Sequence, residues 1–202
     1  MIGILGGSFD PIHYGHLRSA LDVQQALDLE EVRLIPLRDP PHRGALASSA
    51  DARLAMIRAA VAGEPHLRVD ERELTRSGKS YTLDTILSLR AELGEQPICL
   101  LMGTDAFRGF PGWHRPEEIL RQVHLVVMQR PAETRPEIYL ERTADAADEL
   151  KNSSAGRILF LPVTQLEISA TRIRAMLRSD QNPRYLLPDA VLSIIRQQAL
   201  YR

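Results

Sequence analysis

Short apolar runs alternate along this chain with stretches in which apolar residues recur three and four positions apart. The runs Ile2–Leu5, Glu31–Leu37, Leu67–Val69, Ile98–Met102, Val123–Met128 and Arg157–Leu161 predict strands. Between them, helical spacing covers 15–27, where Leu17, Ala20, Leu21 and Leu27 share a face. Asp51–Ala62 is Ala-rich and periodic, and it closes at Gly63 with Pro65 beyond. Tyr81–Leu93 closes at Gly94, and Thr171–Leu177 and Asp189–Leu200 are the last helices. Residues 130–157 are polar and carry Pro131, Pro136 and Gly156. They predict a surface excursion with one weak helix.

Strand–helix alternation with near-continuously apolar strands predicts an α/β fold. Its doubly wound, Rossmann-like and mostly parallel sheet is covered by helices on both faces. Residues 1–202 form a single domain in this reading, with a small C-terminal helical part over 168–202. Such sheets bind ligands beyond the carboxyl ends of the strands, where the strand order reverses. The segments after Leu5, Leu37, Met102, Met128 and Leu161 are therefore the expected seat of function.

Composition narrows the function classes. The 25 basic and 26 acidic residues give a net charge of -1, which disfavours a general nucleic-acid binder. The single cysteine, Cys99, excludes an intramolecular disulfide framework and a multi-cysteine zinc ribbon. Neither a basic, apolar leader nor a run long enough to span a membrane is visible, so the expected compartment is the cytosol.

The strand Ile2–Leu5 runs into Gly6-Gly7-Ser8-Phe9-Asp10-Pro11-Ile12-His13-Tyr14-Gly15-His16 and then into a helix. At such a junction, backbone amides and the helix N-terminus can hold phosphate. Gly6 and Gly7 let a ligand approach the backbone. His13 and His16, three apart across the helix start, can face one site and stabilise charge on a phosphoryl group. No Walker A or G-x-G-x-x-G pattern is present, and no nearby Cys, Asp or Glu completes a zinc set. Read alone, the segment is more simply a turn followed by two surface histidines.

A second junction, Ile168-Ser169-Ala170-Thr171-Arg172-Ile173-Arg174, follows the last strand. Ser169 or Thr171 can cap the helix, free amides form an anion site, and Arg174 adds a planar charged fork. Both junctions can reach one polyphosphate. Four middle segments offer further candidates. Pro40-Pro41-His42-Arg43 is a stiff loop that can face an anion, and Ser80-Tyr81-Thr82 opens a helix. Gly103 and Asp105 follow the most apolar strand, where the aspartate can accept from ribose hydroxyls. Trp113, the only tryptophan, lies in a loop and can stack on a flat heterocycle.

GGSFDPIHYGH together with ISATRIR resembles the nucleotidylyltransferase superfamily that carries HxGH and ISSTxIR signatures. Within it, Pro40–Arg43, Asp70–Leu74, Ser80–Thr82, Gly103–Asp105, Trp113 and Leu187-Pro188 resemble the bacterial nicotinate mononucleotide adenylyltransferase family. The likeness runs over essentially the whole chain. It implies adenylyl transfer from ATP to nicotinate mononucleotide, without a covalent intermediate. It implies His13, His16 and Arg174 as catalytic residues. Gly6, Gly7, Ser8, Phe9, Gly103, Asp105, Ser169 and Thr171 are the implied ATP site. His42, Arg43, Ser80, Tyr81, Thr82 and Trp113 are the implied mononucleotide site, with Trp113 against the pyridine ring. Mg²⁺ is expected as a passenger on the ATP phosphates. No nucleic-acid or membrane partner is expected, and a homo-oligomer is compatible with the sequence. Departures from the family pattern fall at Leu37-Arg38-Asp39, at His114, where tyrosine is frequent, and at Ala170 in place of serine. Three alternatives stay open: a sister enzyme with another acceptor, a non-catalytic nucleotide sensor, and a class I aminoacyl-tRNA synthetase fragment.

Overall fold

The computed structural model describes residues 1–38, 46–76, 78–129 and 133–202. Six strands form one sheet: β1 (Ile2–Gly7), β2 (Val32–Pro36), β3 (Leu67–Val69), β4 (Ile98–Gly103), β5 (His124–Gln129) and β6 (Ile158–Pro162). Their order is β3-β2-β1-β4-β5-β6, and every pair is parallel. The order reverses between β1 and β4, which places the switch point beside the Gly6-Gly7 turn.

The alternation of β1 explains its central place. Leu5 belongs to the core on one face of the sheet, and Ile2 and Ile4 belong to the core on the other. A strand buried on both faces has no solvent side, which is why its sequence reads as continuously apolar. The first face is covered by α1 (Tyr14–Leu27) and α2 (Ala50–Val61), with α7 (Ala170–Arg178) and α8 (Asp189–Gln197) joining them. On the second face lie α4 (Thr82–Leu93), α5 (Thr104–Gly109) and α6 (Pro116–Gln122). A single-turn helix, α3 (Arg72–Thr75), follows β3. Arg90 ties the second layer together by donating to the carbonyls of Gly94 and Gln96 at 2.6 and 2.8 Å and to that of Gln122.

Most predicted elements fall within two residues of the observed ones, although the last helix stops at Gln197 rather than Leu200. Helices α3, α5 and α6 are absent from the sequence prediction, because four to seven residues show too little periodicity. Of the excursion expected over 130–157, residues 133–157 are described, and they pack in part against the sheet edge. Within its described part, two 3-10 turns (Leu140–Arg142 and Ala147–Asn152) replace the single weak helix. Ala144 and Leu150 are buried in the core, and Thr143 bridges to Ile158 at the sheet edge. The C-terminal helices share one core with α1 and α2, since Ile173, Leu192 and Ile195 pack into the same cluster as Leu17 and Met56.

Candidate active site

The turn after β1 is held from below. Phe9 is 1% exposed, and a Cβ on Gly7 would meet its ring at 3.0 Å. The same ring stands edge-on to His16, with centroids 5.1 Å apart. Arg53, buried on α2, donates to the Ser8 carbonyl at 2.9 Å. His13 occupies the N-cap position of α1 and His16 lies in its first turn. Their rings stack with centroids 3.7 Å apart and planes 25° apart. Burial pushes the His13 pKa down to about 4. Burial, and then the neighbouring His13, push the His16 pKa down to about 3. The substrate-free pair is therefore neutral at physiological pH.

The late motif reaches this turn directly. Ser169 caps α7 by accepting from the Arg172 amide at 3.2 Å. Arg174 donates through Nη1 to the Asp10 carbonyl at 2.6 Å and through Nη2 to the Thr171 hydroxyl at 3.3 Å. Gly15 is the second point of approach. A Cβ there would press on the His13 ring at 3.0 Å and touch the Ile168 carbonyl at an ordinary 3.6 Å, so glycine leaves room for the His13 ring where the two helix starts meet. Two junctions far apart in sequence thus meet on one side of the switch point.

Beside them opens a mainly apolar cleft of about 440 Å³ at the carboxyl ends of the strands. Gly6, Gly7, Ser8 and His16 line it from the β1 side, and Met102 and Gly103 from the end of β4. A Cβ on Gly6 or on Gly103 would meet no atom within 4 Å, so the backbone is bare to the cleft at both strand ends. Another stretch of wall comes from Ser80, Tyr81 and Thr82 at the start of α4 and from Trp113 and His114. Trp113 rests on Phe110 with ring centroids 5.4 Å apart, and His114 packs on Tyr81 at 4.6 Å. Ser80 accepts from the Arg38 amide at 3.1 Å, which fixes this segment to the end of β2.

Nine of the sequence candidates therefore stand on the wall: Gly6, Gly7, Ser8, His16, Gly103, Ser80, Tyr81, Thr82 and Trp113. His13 sits against His16, and Phe9 supports the turn from the core. Arg174 is joined to the turn rather than to the wall, with Thr171 bonded to its guanidinium and Ser169 capping the helix that carries both. Asp105 is exposed in the first turn of α5 and pairs with Arg108 at 3.1 Å, off the wall. His42 and Arg43 lie outside the described residues. The end of β6, expected at the site, is likewise off the wall and contributes only through α7.

Sequence reasoning assigned no role to Glu73 and Thr85. The Glu73 carboxylate accepts from the Thr85 hydroxyl at 2.6 Å, and burial pushes its pKa above the usual carboxylate range. Within the charged run Asp70–Glu73 it looks like a solvated surface residue. Only its placement on α3, turned inward, distinguishes it. Among the described residues, no three His, Cys, Asp or Glu side chains gather as a metal cage. None of the described helices is long and apolar enough to cross a membrane.

The sheet order and the cleft at its switch point define a doubly wound α/β protein with its cleft where such folds bind nucleotides. The cytidylyltransferase-like family model matches residues 4–176, from β1 into α7. A "Probable nicotinate-nucleotide adenylyltransferase" of Pseudomonas putida (strain W619) is 50% identical over 207 residues, covering 100% of this chain and 94% of its own. The protein of the same name from Methylococcus capsulatus is 45% identical over 208 residues, covering 100% and 99%. A Plasmodium falciparum nicotinic acid mononucleotide adenylyltransferase has been solved complexed with NaAD and with APC. The two structures superpose with TM-scores of 0.78 and 0.73, covering 99% of this chain and 96% of theirs. At 15% and 16% identity that likeness establishes the shared fold. The chain belongs to the cytidylyltransferase-like family and, within it, to the nicotinate-nucleotide adenylyltransferases.

The histidine pair gives stability a pH dependence of known sign. In the unfolded chain both imidazoles titrate near about 6.5. In the folded chain they titrate at about 4 and about 3. Between those limits the unfolded chain binds more protons, so stability is lost as the pH falls from 6.5 towards 4. Thermal melts of the substrate-free protein should show Tm falling over that range. His13→Asn combined with His16→Asn should flatten the fall, and an equally steep profile in the double variant would assign it to other groups.

Proposed function

We propose that this protein transfers the adenylyl group of ATP to nicotinate mononucleotide, giving nicotinate adenine dinucleotide and pyrophosphate. The observation that carries the reading is the meeting of His13, His16 and Arg174 beside a cleft also walled by Trp113. The names of the full-length relatives support the same acceptor.

A phosphate oxygen of the mononucleotide attacks the α-phosphorus of ATP in line. The new P–O bond forms as the bond to the β-phosphate bridging oxygen breaks, and pyrophosphate carries the electron pair away. The attacking phosphate is already anionic near neutral pH, so neither a general base nor a covalent enzyme intermediate is required. The obstacle is bringing two anions together, and positioning with charge neutralisation overcomes it. His13 and His16 donate to the α- and β-phosphates. Neutral in the empty site, they gain affinity for protons as the polyanion arrives. Arg174 and the amides at the start of α7 hold the β- and γ-phosphates that leave. Mg²⁺ enters as part of the substrate, on the phosphate oxygens, and shields their charge.

The acceptor half has a different physical basis. The Trp113 indole offers a face on which a pyridine ring can stack, and Thr82 with neighbouring amides offers hydrogen bonds at the start of α4. Gly6 and Gly103, open to the cleft, let the nucleotide lie against backbone. His42 and Arg43 complete the proposed mononucleotide site as sequence candidates.

A pyrophosphate-release assay with ATP tests the reading. The acceptor panel contains nicotinate mononucleotide, nicotinamide mononucleotide and phosphopantetheine. Turnover should be fastest with nicotinate mononucleotide, and faster turnover of phosphopantetheine would overturn the assignment. In the same assay, His16→Ala should lower kcat by about 10²-fold or more with little change in KM, because its bond strengthens in the transition state. An unchanged kcat would remove His16 from the chemistry. Trp113→Ala should raise KM for the mononucleotide about tenfold while sparing that for ATP. Equal weakening of both substrates would mark a structural tryptophan instead.

A further inference from the structure

Asp10 lies three residues before His13 and is only 3% exposed. Its Oδ1 accepts from the Tyr201 hydroxyl at 2.6 Å and from the Ser48 hydroxyl at 2.5 Å. Its Oδ2 accepts from the Ala47 amide at 2.7 Å. The two hydroxyl oxygens lie 3.2 Å from each other. Through its backbone, the same residue presents the carbonyl that accepts from Arg174. One amino acid thus joins four parts of the chain: the histidine turn, the entry to α2, the α7 arginine and the C-terminal segment.

The C-terminal partner is reached at some conformational expense. After α8 the chain passes through left-handed conformations at Ala199 (φ 51°) and Tyr201 (φ 66°) before the phenol points inward. Burial and the Asp10 carboxylate push the Tyr201 pKa up, so the phenol remains a donor across the working pH range. Arg53 supplies the compensating charge, interacting electrostatically with Asp10 while it holds the Ser8 carbonyl. A carboxylate this buried needs its donors, because an unmet lone pair in a low-dielectric setting is costly. Removing one donor therefore shifts the turn rather than leaving it unchanged. The turn is where a small displacement matters most, since it sets both imidazoles and the Arg174 anchor.

We propose that Tyr201, the penultimate residue, is a positioning residue for the transfer reaction. Through Asp10 and Ser48 it keys the C-terminal segment to the turn that sets His13, His16 and Arg174. The idea rests on the adenylyl-transfer reading above. It adds a residue that touches no substrate and lies 191 positions from its partner in sequence.

Tyr201→Phe removes the hydroxyl and keeps the ring. Its kcat, measured per folded molecule well below the melting temperature, should fall about tenfold, with KM for the mononucleotide within about twofold of wild type. Affinity for α,β-methylene-ATP, measured by calorimetry without acceptor, should fall in parallel. Ser48→Ala, which removes the other hydroxyl from the same oxygen, should reproduce the phenotype. It carries the test alone if Tyr201→Phe fails to fold. The double variant should lose less than the product of the two single losses. A lower Tm with unchanged kcat and unchanged analogue affinity would overturn the proposal and reduce Tyr201 to a tail anchor. The calorimetric arm needs no acceptor, so it still reports on the keying if wild type fails to use nicotinate mononucleotide. Failure of the acceptor assignment is thereby distinguishable from failure of this inference.

Discussion

The hydrogen bond from the Arg174 guanidinium to the Asp10 carbonyl holds the two ends of the chain's chemistry together. Without it, the first junction is a glycine turn at the edge of a sheet and the second is a capped helix. With it, the imidazoles of the first and the guanidinium of the second lie together beside the switch point. The contact is charge-assisted and only half-buried. Gly15 keeps room for the His13 ring at this junction, because a Cβ there would press on it at 3.0 Å. Several features of the surrounding structure serve this junction: Phe9 beneath it, Arg53 on the Ser8 carbonyl, and the donors on the Asp10 carboxylate.

The electrostatics of the empty site follow from the same packing. Two imidazoles stacked at 3.7 Å cannot both carry charge cheaply, and burial already disfavours the cationic form of each. Packed this way, the pair avoids self-repulsion by staying neutral. The permanently charged group, Arg174, stands slightly apart, where its fork is held by a carbonyl and a hydroxyl rather than by an acid.

Much of the architecture was legible in the sequence because strands buried on both faces leave an unmistakable mark, as Ile98–Met102 does. The switch point followed from the fold class, and Gly6-Gly7 and His13-x-x-His16 then fell on it. Short helices such as α5 and α6 left no comparable mark, and neither did the burial of Ala144 and Leu150 inside a polar segment. The first failed for want of length. The second failed because burial there depends on a distant sheet edge rather than on local periodicity. Glu73 was hidden by its charged neighbours, and Asp105, the candidate ribose acceptor, stands exposed beside Arg108 off the cleft wall. The Asp10–Tyr201 contact had no local signature at all, since a bond between residues at opposite ends of a chain has none.

The cleft wall is assembled from two sets of elements with little in common. Gly6 to His16 belong to the central strand and the helix after it, wedged between sheet neighbours that cannot shift without disturbing the core. Tyr81, Thr82, Trp113 and His114 come from a helix start and a surface loop on the opposite layer, where chain length and side-chain choice are far less constrained. A scaffold divided in this manner can diversify. The loop face can change in length and side chain at little expense to the core, whereas a change at the strand-end turn is felt throughout the sheet.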